Sequence, residues 1–334
     1  MTPAAELLRE EILARGPISF ARFMEVALYH PQHGYYRRSA RHAPDPFGMH
    51  GDFYTAEQVQ PVFGLLIAAE TRALLRQLAP CEQFTVVELG AGRGEMAPFF
   101  QPWRYVPVDA GRGQMPDDFT GVVFANEFFD ALPVHVVVRQ GGGFAQSLVR
   151  CNGEEFEWTG GPPVEEAVGE HLTRYGAPRE DGDRIEVNLD ALSYLDRIHR
   201  SMRSGYLLAI DYGYTAREMV RFPAGTLMGY RRHQALDDVL TDPGLRDITA
   251  HVNFTALETH ALSLGWEKVR FESMASLLLR AGEPDQFAEA LGQSLLGAGT
   301  DSKEAVRRRL QLKTLLYGMG ENFRALLLRV PAKK

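Results

Sequence analysis

The feature that most constrains this chain is a glycine-rich turn that directly follows an apolar run, at residues 86–95, VVELGAGRGE. The run FTVVEL has the length and β-branched content of a buried strand, and Gly90, Gly92 and Gly94 follow it at every second position. A strand that ends in such a turn presents unpaired backbone amides at its carboxyl end, where open α/β sheets bind ligands. The turn therefore predicts a ligand site on a mostly parallel sheet.

The glycine spacing and the acid before it narrow the class of ligand. Dinucleotide sites use G-x-G-x-x-G, whereas this turn is G-x-G-x-G, with Glu88 two residues before the first glycine. A carboxylate there is a poor neighbour for a pyrophosphate but suits a cation, such as the amino group and sulfonium of S-adenosyl-L-methionine (SAM). Asp109 ends the next predicted strand, RYVPVD (104–109), where a second acid would hold ribose hydroxyls. The alternative is a turn that only packs a helix on the sheet.

A second acidic segment, ANEFFDALPVH (125–135), follows a third predicted strand, GVVFAN (121–126). Asn126 and Glu127 then lie at a strand's carboxyl end and face the same crevice. If the methyl acceptor is a guanidinium, the carboxylates of Glu127 and Asp130 could hold it and localise a lone pair on one nitrogen. The structural alternative makes Asp130 a helix N-cap and Glu127 a loop charge.

The order of predicted elements indicates an α/β fold with a mostly parallel, doubly wound sheet. Helical spacing predicts helices at 4–15 and 56–79, the latter broken or started at Pro61, and a brief helix near 95–101. Further strands are predicted at 206–211, 266–271 and 323–330, and a strand–turn–strand segment at 134–158 around the glycines 141–143. We expect three segments: an N-terminal helical region (1–80), a core with an insertion around 134–185 (81–282), and C-terminal helices with a last strand (283–334).

Composition excludes several classes of protein. A net charge of −7 carries no electrostatic footprint for nucleic acid. Two cysteines, without a His/Cys cluster, predict neither a disulfide framework nor a metal site. The N-terminus lacks the pattern of a signal or transit peptide, and the most apolar stretch is too short and too polar to span a bilayer. These observations predict a soluble, cytoplasmic protein without membrane insertion.

The chain resembles the MidA-like methyltransferases, whose mitochondrial member is a complex I assembly factor that methylates an arginine of a core complex I subunit. The resemblance covers nearly the whole chain, and the combination of HGYY, GDFYT and NEFFDALP is more specific than the glycine turn. The matching segments are GPISFARFMEVALYHPQHGYY (16–36), GDFYTAEQVQPVFG (51–64), VVELGAGRGEM (86–96), NEFFDALPVH (126–135), AIDYGY (209–214), GTLMGYRRH (225–233), ITAHVNFTAL (248–257) and MGENFRAL (319–326).

The resemblance implies a class I SAM-dependent methyltransferase, with SAM as cofactor and a protein as substrate, a respiratory complex subunit being one candidate. It also implies a loop at 51–55 that closes over the cofactor and a largely helical insertion on the acceptor side. By position, the catalytic residues would be Glu127 and Asp130, the cofactor-binding residues Glu88, Gly90, Ala91, Gly92, Gly94, Asp109, Asn126, Thr55 and Asp52, and the acceptor-side residues Tyr212, Tyr230, His233 and Asn253. A homodimer is one option for the oligomeric state.

The chain departs from the family pattern in three places. Ala56 and Glu57 follow the loop threonine where the family usually has Ser-Pro-Glu, and Ala91 replaces the proline of the usual glycine motif. The segment between Gly94 and Asn126 is shorter than usual and lacks the helix and strand that supply an adenine contact, for which Asp117 or Asp118 could substitute. Two other functions therefore remain open: a non-catalytic assembly partner on a methyltransferase fold, and a methyltransferase for a small metabolite.

Overall fold

The computed structural model of the chain describes residues 1–37, 55–231, 234–236, 238–292 and 303–333. Two of the predicted site residues, Asp52 and His233, lie outside the described residues. The chain forms two compact units, each assembled from three stretches of sequence. The antiparallel unit comprises Met1–Tyr54, Phe129–Tyr194 and Gly213–Thr259, and the central-sheet unit comprises Thr55–Phe128, Leu195–Tyr212 and His260–Lys334.

The secondary structure is numbered in chain order. The strands are β1 (Ile18–Ser19), β2 (Thr85–Leu89), β3 (Arg104–Val108), β4 (Phe119–Asn126), β5 (His135–Gln140), β6 (Gly143–Asn152), β7 (Glu155–Pro163), β8 (Arg184–Val187), β9 (Met202–Tyr214), β10 (Met228–Arg231), β11 (Gln234–Leu236), β12 (Asp247–Thr249), β13 (Val252–Asn253), β14 (Glu267–Ser273) and β15 (Phe323–Val330). The α-helices are α1 (Pro3–Arg15), α2 (Phe20–Tyr29), α3 (Val62–Leu75), α4 (Glu166–Tyr175), α5 (Leu189–Ser201), α6 (Phe254–Ser263), α7 (Met274–Gly282), α8 (Ala288–Leu291) and α9 (Lys303–Lys313).

The central-sheet unit is built on the strand order β14-β15-β9-β4-β2-β3. Strands β3, β2, β4 and β9 run parallel, and β15 and β14 add an antiparallel edge. All five residues of β2 are buried, as expected for a strand covered on both faces. Because the register pairs Leu89 with both Val108 and Ala125, the carboxyl ends of three adjacent strands meet at one edge. The strand predictions in this unit and the class I fold are confirmed.

Helix α3 supplies much of the core that packs on this sheet. Its residues Phe63, Leu66 and Ile67 are almost fully buried in one cluster with Val86 of β2 and Phe124 of β4. The helix begins at Val62, directly after its N-cap residue Pro61, whose missing N–H costs no hydrogen bond within the helix. The predicted start at Pro61 is confirmed, the helix ends at Leu75, earlier than predicted, and a 3-10 turn at Ala56–Gln58 precedes it.

The antiparallel unit contains a sheet ordered β1-β6-β5-β8, to which β7 adds through β6, and a small sheet ordered β11-β10-β12. Helices α1 and α2 begin at side-chain caps, in which Thr2 and Ser19 accept hydrogen bonds from backbone N–H groups of the first turn. Phe20, Phe23 and Leu28 of α2 are fully buried in this unit's own core.

Two expectations about local structure are wrong. The insertion around 134–185 is mostly antiparallel sheet, with α4 as its helix, and not largely helical as the resemblance implies. Gly141 and Gly142 adopt positive φ and close a hairpin between β5 and β6, which confirms the predicted strand–turn–strand segment. The predicted helix near 95–101 is a single 3-10 turn at Ala97–Phe99. Pro102 has no N–H with which to bond the carbonyl of Pro98, so an α-helix cannot continue there.

The predicted three-segment division and the observed units also differ in their boundaries. Residues 55–80 belong to the central-sheet unit, whereas residues 129–194 belong to the antiparallel unit. Among the described residues, no helix has both the length and the apolar character needed to cross a membrane.

Candidate active site

The glycine turn leaves the carboxyl end of β2 in a conformation that requires glycine. Gly90, Gly92 and Gly94 have φ values of +74°, +46° and +78°, in the left-handed region that L-residues with a Cβ atom rarely adopt. A Cβ atom at Gly90 would lie 3.1 Å from Cδ2 of Phe128. The backbone N–H groups of Gly90 and Ala91 donate to the Val108 carbonyl at 2.8 and 3.3 Å, which holds the turn against the end of β3.

Glu88, on β2 beside this turn, is a fully buried acid. The Tyr105 hydroxyl of β3 donates to its Oε2 atom. Its Oε1 atom receives no hydrogen bond from an N–H or O–H group of the described residues. Burial raises the pKa of Glu88 from its ordinary value of 4.5 to about 7, although the hydrogen bonds with Tyr105 and Glu57 act in the opposite direction.

Glu57 is a second buried acid at this site, and it comes from the 3-10 turn before α3. Its carboxyl group is in hydrogen-bonding contact with that of Glu88. Burial raises the pKa of Glu57 well above its ordinary value, and the carboxylates of Glu88, Glu127 and Glu95 raise it further. In the same turn, the Thr55 N–H donates to Gln58 Oε1 at 3.3 Å, which fixes the start of the segment.

Glu127 follows β4 directly and has a left-handed backbone, with φ of +50°. Its backbone N–H donates to the Ile210 carbonyl at 2.9 Å. Its Oε1 atom accepts from the Ala56 N–H at 3.0 Å and from the Asn126 amide Nδ2 at 3.2 Å. Such a conformation is costly for a residue with a long side chain, so the surrounding contacts must hold it in place. Strain of this kind at the end of a strand is typical of functional sites.

Asp211, near the end of β9, is hydrogen-bonded to the turn that carries Glu127. It is fully buried, and its Oδ2 atom accepts from the Phe128 N–H at 3.2 Å. Its Oδ1 atom accepts from the Tyr212 N–H at 2.9 Å. A carboxylate that accepts backbone N–H groups from two segments ties the end of β9 to the turn after β4. Asp211 therefore positions the backbone that carries Glu127.

Asp109 ends β3 and lies in a tight hairpin that returns to the glycine turn. Its backbone pairs with that of Arg112 through N–H to carbonyl bonds of 2.9 and 3.0 Å. The Arg112 guanidinium lies 3.6 Å from Asp109 Oδ2 and also donates to the Gly92 carbonyl. Of the two proposed substitutes for the adenine contact, Asp118 forms an ion pair with Arg203 at 3.0 Å.

The central-sheet unit brings together most of the predicted site residues. They are Thr55, Glu88, Gly90, Ala91, Gly92, Gly94, Asp109, Asn126, Glu127 and Tyr212. Three other predicted residues, Asp130, Tyr230 and Asn253, belong to the antiparallel unit.

The residues in the antiparallel unit have local contacts of their own. Asp130 is buried, and its backbone carbonyl accepts from the Ala250 N–H at 2.9 Å. Asn253 accepts from the Ala256 N–H at 3.2 Å and so caps α6, and its amide donates to the Tyr175 carbonyl. Tyr230 pairs with Asp247 in the small sheet.

Tyr212, in the central-sheet unit, packs against the ring of Phe323 with a centroid distance of 3.9 Å.

The charge balance at the site fits a cationic cofactor. Glu57, Glu88 and Glu127 converge from three segments, and Glu95 and Asp109 also act on this group. Among the described residues, no cluster of His, Cys, Asp or Glu is arranged to hold a metal ion. Oε1 of Glu88, which has no hydrogen-bond donor among the described residues, suits a ligand with positive charge. The glycine turn carries no side chains at its three glycines, so a ligand can approach its backbone closely. When bound, SAM supplies an activated methyl group on a sulfonium.

A parallel sheet with this turn, a buried acid before it and an acid after the next strand defines a class I SAM-dependent methyltransferase. The sequence profile of a family described as "Putative S-adenosyl-L-methionine-dependent methyltransferase" matches residues 103–272, just over half of the 334 residues. The chain belongs to this family. SAM is its cofactor, as the sequence predicts.

Curated relatives match over most of the chain. The "Protein arginine methyltransferase NDUFAF7 homolog, mitochondrial" of Drosophila melanogaster is 26% identical, over 96% of this chain and 84% of its own length. The "Protein arginine methyltransferase NDUFAF7, mitochondrial" of Danio rerio is also 26% identical, over 76% of this chain and 71% of its own length. The expectation of a cytoplasmic protein is wrong in the light of these relatives, since their names, like that of the human protein, place them in mitochondria.

A solved structure confirms the fold. A Burkholderia thailandensis protein with bound S-adenosyl-homocysteine superposes with a TM-score of 0.85 and is 27% identical, over 99% of this chain and 92% of that one. A native crystal structure from the same organism superposes with a TM-score of 0.82.

Two residues of this site were missed from the sequence. Glu57 was noted only as a departure from the family pattern, although an acid at the start of an apolar helix is a signal of its own. Asp211 ends the apolar strand YLLAID in the same way that Asp109 ends YVPVD. An acid at the carboxyl end of each parallel strand was the signal that would have found it.

Proposed function

We propose that this protein transfers a methyl group from SAM to an arginine side chain of a protein substrate. The printed names of the curated relatives support an arginine acceptor. A subunit of a respiratory complex is the first substrate to test, because the sequence resembles complex I assembly factors. The observation that carries the proposal is the Glu127 carboxylate, held at the end of β4 by the Ala56 N–H and the Asn126 amide.

Glu127 has the chemistry that an arginine acceptor requires. A guanidinium is cationic and a weak nucleophile, and a carboxylate binds it through charge-assisted hydrogen bonds. Since Oε1 is fixed by two N–H donors, the plane of the Glu127 carboxylate is fixed before an acceptor arrives. In this proposal Glu127 draws charge away from the attacking nitrogen and takes up the proton that this nitrogen loses as its bond to the methyl carbon forms.

The neighbouring acids favour the same acceptor. Glu57 and Glu88 lie on the same edge of the sheet, and the pKa of Glu57 is raised by burial and by Glu88 and Glu127 together. A negative field at this edge attracts a cationic side chain and disfavours an anionic one. Asp211 holds the turn that carries Glu127, so its role in the proposal is positioning.

The proposal is tested with methyl-tritiated SAM, the purified protein and complex I subunits. We expect label on arginine, identified by mass spectrometry, and about a hundredfold slower transfer by Glu127→Gln with SAM affinity within a few-fold of wild type. The exposed Glu82→Gln is the control and should behave as wild type. Absence of SAM binding would refute the proposal as a whole. Transfer that is unchanged in Glu127→Gln would refute the role of Glu127, and label on another residue type would refute the arginine acceptor.

A further inference from the structure

Two buried carboxyl groups touch each other at the cofactor edge of the central sheet. Glu57 comes from the turn before α3 and Glu88 from β2, and both side chains are buried, Glu88 completely. A hydrogen bond between two carboxyl groups needs a proton on one of them, because an ionised carboxylate only accepts. Oε1 of Glu88 has no donor among the described N–H and O–H groups, and a shared proton relieves the contact between the two carboxyl groups.

The charged groups around this pair further favour the state in which the pair keeps one proton. The groups that act on the pair or on its hydrogen-bond donor are Glu95 after the glycine turn, Asp109 after β3, Glu127 after β4, the Tyr105 hydroxyl on β3 and the Arg112 guanidinium in the hairpin after β3. Three of these are acids, and the one cation among them already lies near Asp109. Two ionised carboxylates in contact, out of water and among further acids, are strongly disfavoured.

We propose that the Glu57–Glu88 pair holds one proton in the cofactor-free protein and releases it to solvent when the cationic cofactor binds. The inference rests on the proposed methyl-transfer function, because it assigns the pair to the charge of SAM. In the step itself one carboxylic O–H bond breaks, the proton passes to water, and the carboxylate left behind faces the positive charge of the ligand. The buried pair thus changes from a hydrogen-bonded pair with one negative charge to a counter-ion with two, without moving the backbone.

The pH dependence of binding follows from this exchange. Below the pKa of the pair, the cofactor must displace the proton, so SAM affinity should fall by up to about tenfold for each pH unit. Above that pKa, the proton is already lost and affinity should level off. The raised pKa of Glu88, caused by burial, places this change between weakly acidic and neutral pH. Burial raises the pKa of Tyr105 above its ordinary value, so its hydroxyl stays neutral through that range.

The proposal is tested by titration calorimetry of SAM binding at about pH 6 in phosphate and in Bis-Tris, which have different ionisation enthalpies. The difference in heat gives the number of protons released, and we expect about one for the wild type and close to none for Glu57→Gln. Glu186→Gln is the matched control, because Glu186 is also a buried acid with a pKa raised by burial, but in the antiparallel unit. It should release the same number of protons as the wild type.

Infrared difference spectra provide a readout that does not need the variant to bind SAM tightly. The band of a protonated carboxyl group should disappear when SAM binds to the wild-type protein and should be missing from the free Glu57→Gln protein. Titration with S-adenosyl-homocysteine identifies the cation: equal proton release assigns it to the amino group shared by both ligands, and smaller release assigns it to the sulfonium. SAM binding with equal heats in both buffers would overturn the inference and leave the methyltransferase function intact, whereas absence of SAM binding would remove both.

Discussion

Acids are buried in both units of this protein, but their surroundings differ. In the antiparallel unit, Glu186 accepts from the N–H and the hydroxyl of Thr226 at 2.9 and 3.1 Å, and Asp247 accepts from the Tyr36 hydroxyl at 2.7 Å. In the central-sheet unit, Glu57 and Glu88 face each other, with Tyr105 as the one neutral donor to Glu88 among the described residues.

This difference separates buried acids that stabilise the fold from buried acids that can bind a ligand. An acid whose oxygens accept hydrogen bonds from neutral donors stabilises the fold, and it gains little from binding a ligand. Acids that lie close together raise each other's pKa, and where no cation of the fold neutralises them, they can attract a cationic ligand. Substitutions in both units test this contrast.

Glu88→Gln should weaken SAM binding by about tenfold or more, because the ligand loses a charge-assisted partner. The same substitution should stabilise the cofactor-free protein at about pH 8, since it removes a buried charge crowded by other acids. Calorimetry and urea denaturation measure the two effects, and Glu186→Gln should leave SAM affinity unchanged. Equal weakening by both substitutions would erase the contrast between the two units.

The free energy of unfolding of the cofactor-free protein should fall as pH rises and the Glu57–Glu88 pair loses its proton. The pKa of Glu88 is raised in the folded state from 4.5 to about 7, so the folded protein binds more protons than the unfolded chain between these values. Its contribution to stability is complete below pH 4.5 and is lost as pH rises through about 7, by an amount on the order of 3 kcal/mol. Burial and the neighbouring carboxylates also raise the pKa of Glu57, so Glu57→Gln should remove this residue's own loss of stability, and the variant should gain stability relative to wild type as pH rises. A difference that stays constant with pH would contradict the prediction.

Thr226→Val should destabilise the antiparallel unit by about 1–2 kcal/mol, because buried Glu186 loses a hydroxyl donor and the His251 N–H loses its acceptor. SAM affinity should not change, since these contacts lie within the other unit. The matched control is Thr173→Val on α4, whose hydroxyl is exposed and donates to the Gly169 carbonyl. That control should change the free energy of unfolding by less than about 0.5 kcal/mol.

The smallest effect separates two glycines of the turn. Gly94→Ala should cost about 1 kcal/mol from its φ of +78° alone, because nothing lies within 4 Å of the added Cβ atom. Gly90→Ala, with a similar φ, should cost up to about 1 kcal/mol more because its Cβ atom would press on Phe128 at 3.1 Å. Denaturation midpoints measure both. Equal losses would show that Phe128 moves away without cost.

Much of the central sheet could be predicted from local patterns. The predicted strands at 104–109, 121–126, 206–211, 266–271 and 323–330 match β3, β4, β9, β14 and β15, because apolar runs bounded by turn residues specify a buried strand. The insertion gave two different expectations. The resemblance implies a largely helical insertion, which is wrong, whereas the local pattern predicts strand, turn and strand around the glycines 141–143, which β5 and β6 confirm.

The candidate site divides in the same way. Glu88, Asp109 and Glu127 could be named because each ends, or nearly ends, an apolar run that becomes a parallel strand. The partners of these residues could not be named. The bond from the Ala56 N–H to Glu127 and the bond from the Phe128 N–H to Asp211 join segments far apart in the chain. No local period or motif encodes such a pairing.

The sequence by itself determined the left-handed glycine turn, the strand before it and the acids at the strand ends, because backbone sterics and hydrophobic periodicity act over a few neighbouring residues. Only the tertiary structure decided that Glu57 meets Glu88, and that Asp130 belongs to the antiparallel unit while Glu127 belongs to the central-sheet unit. The physical reason is that electrostatic crowding depends on distance in space, and packing of α3 on the sheet sets that distance.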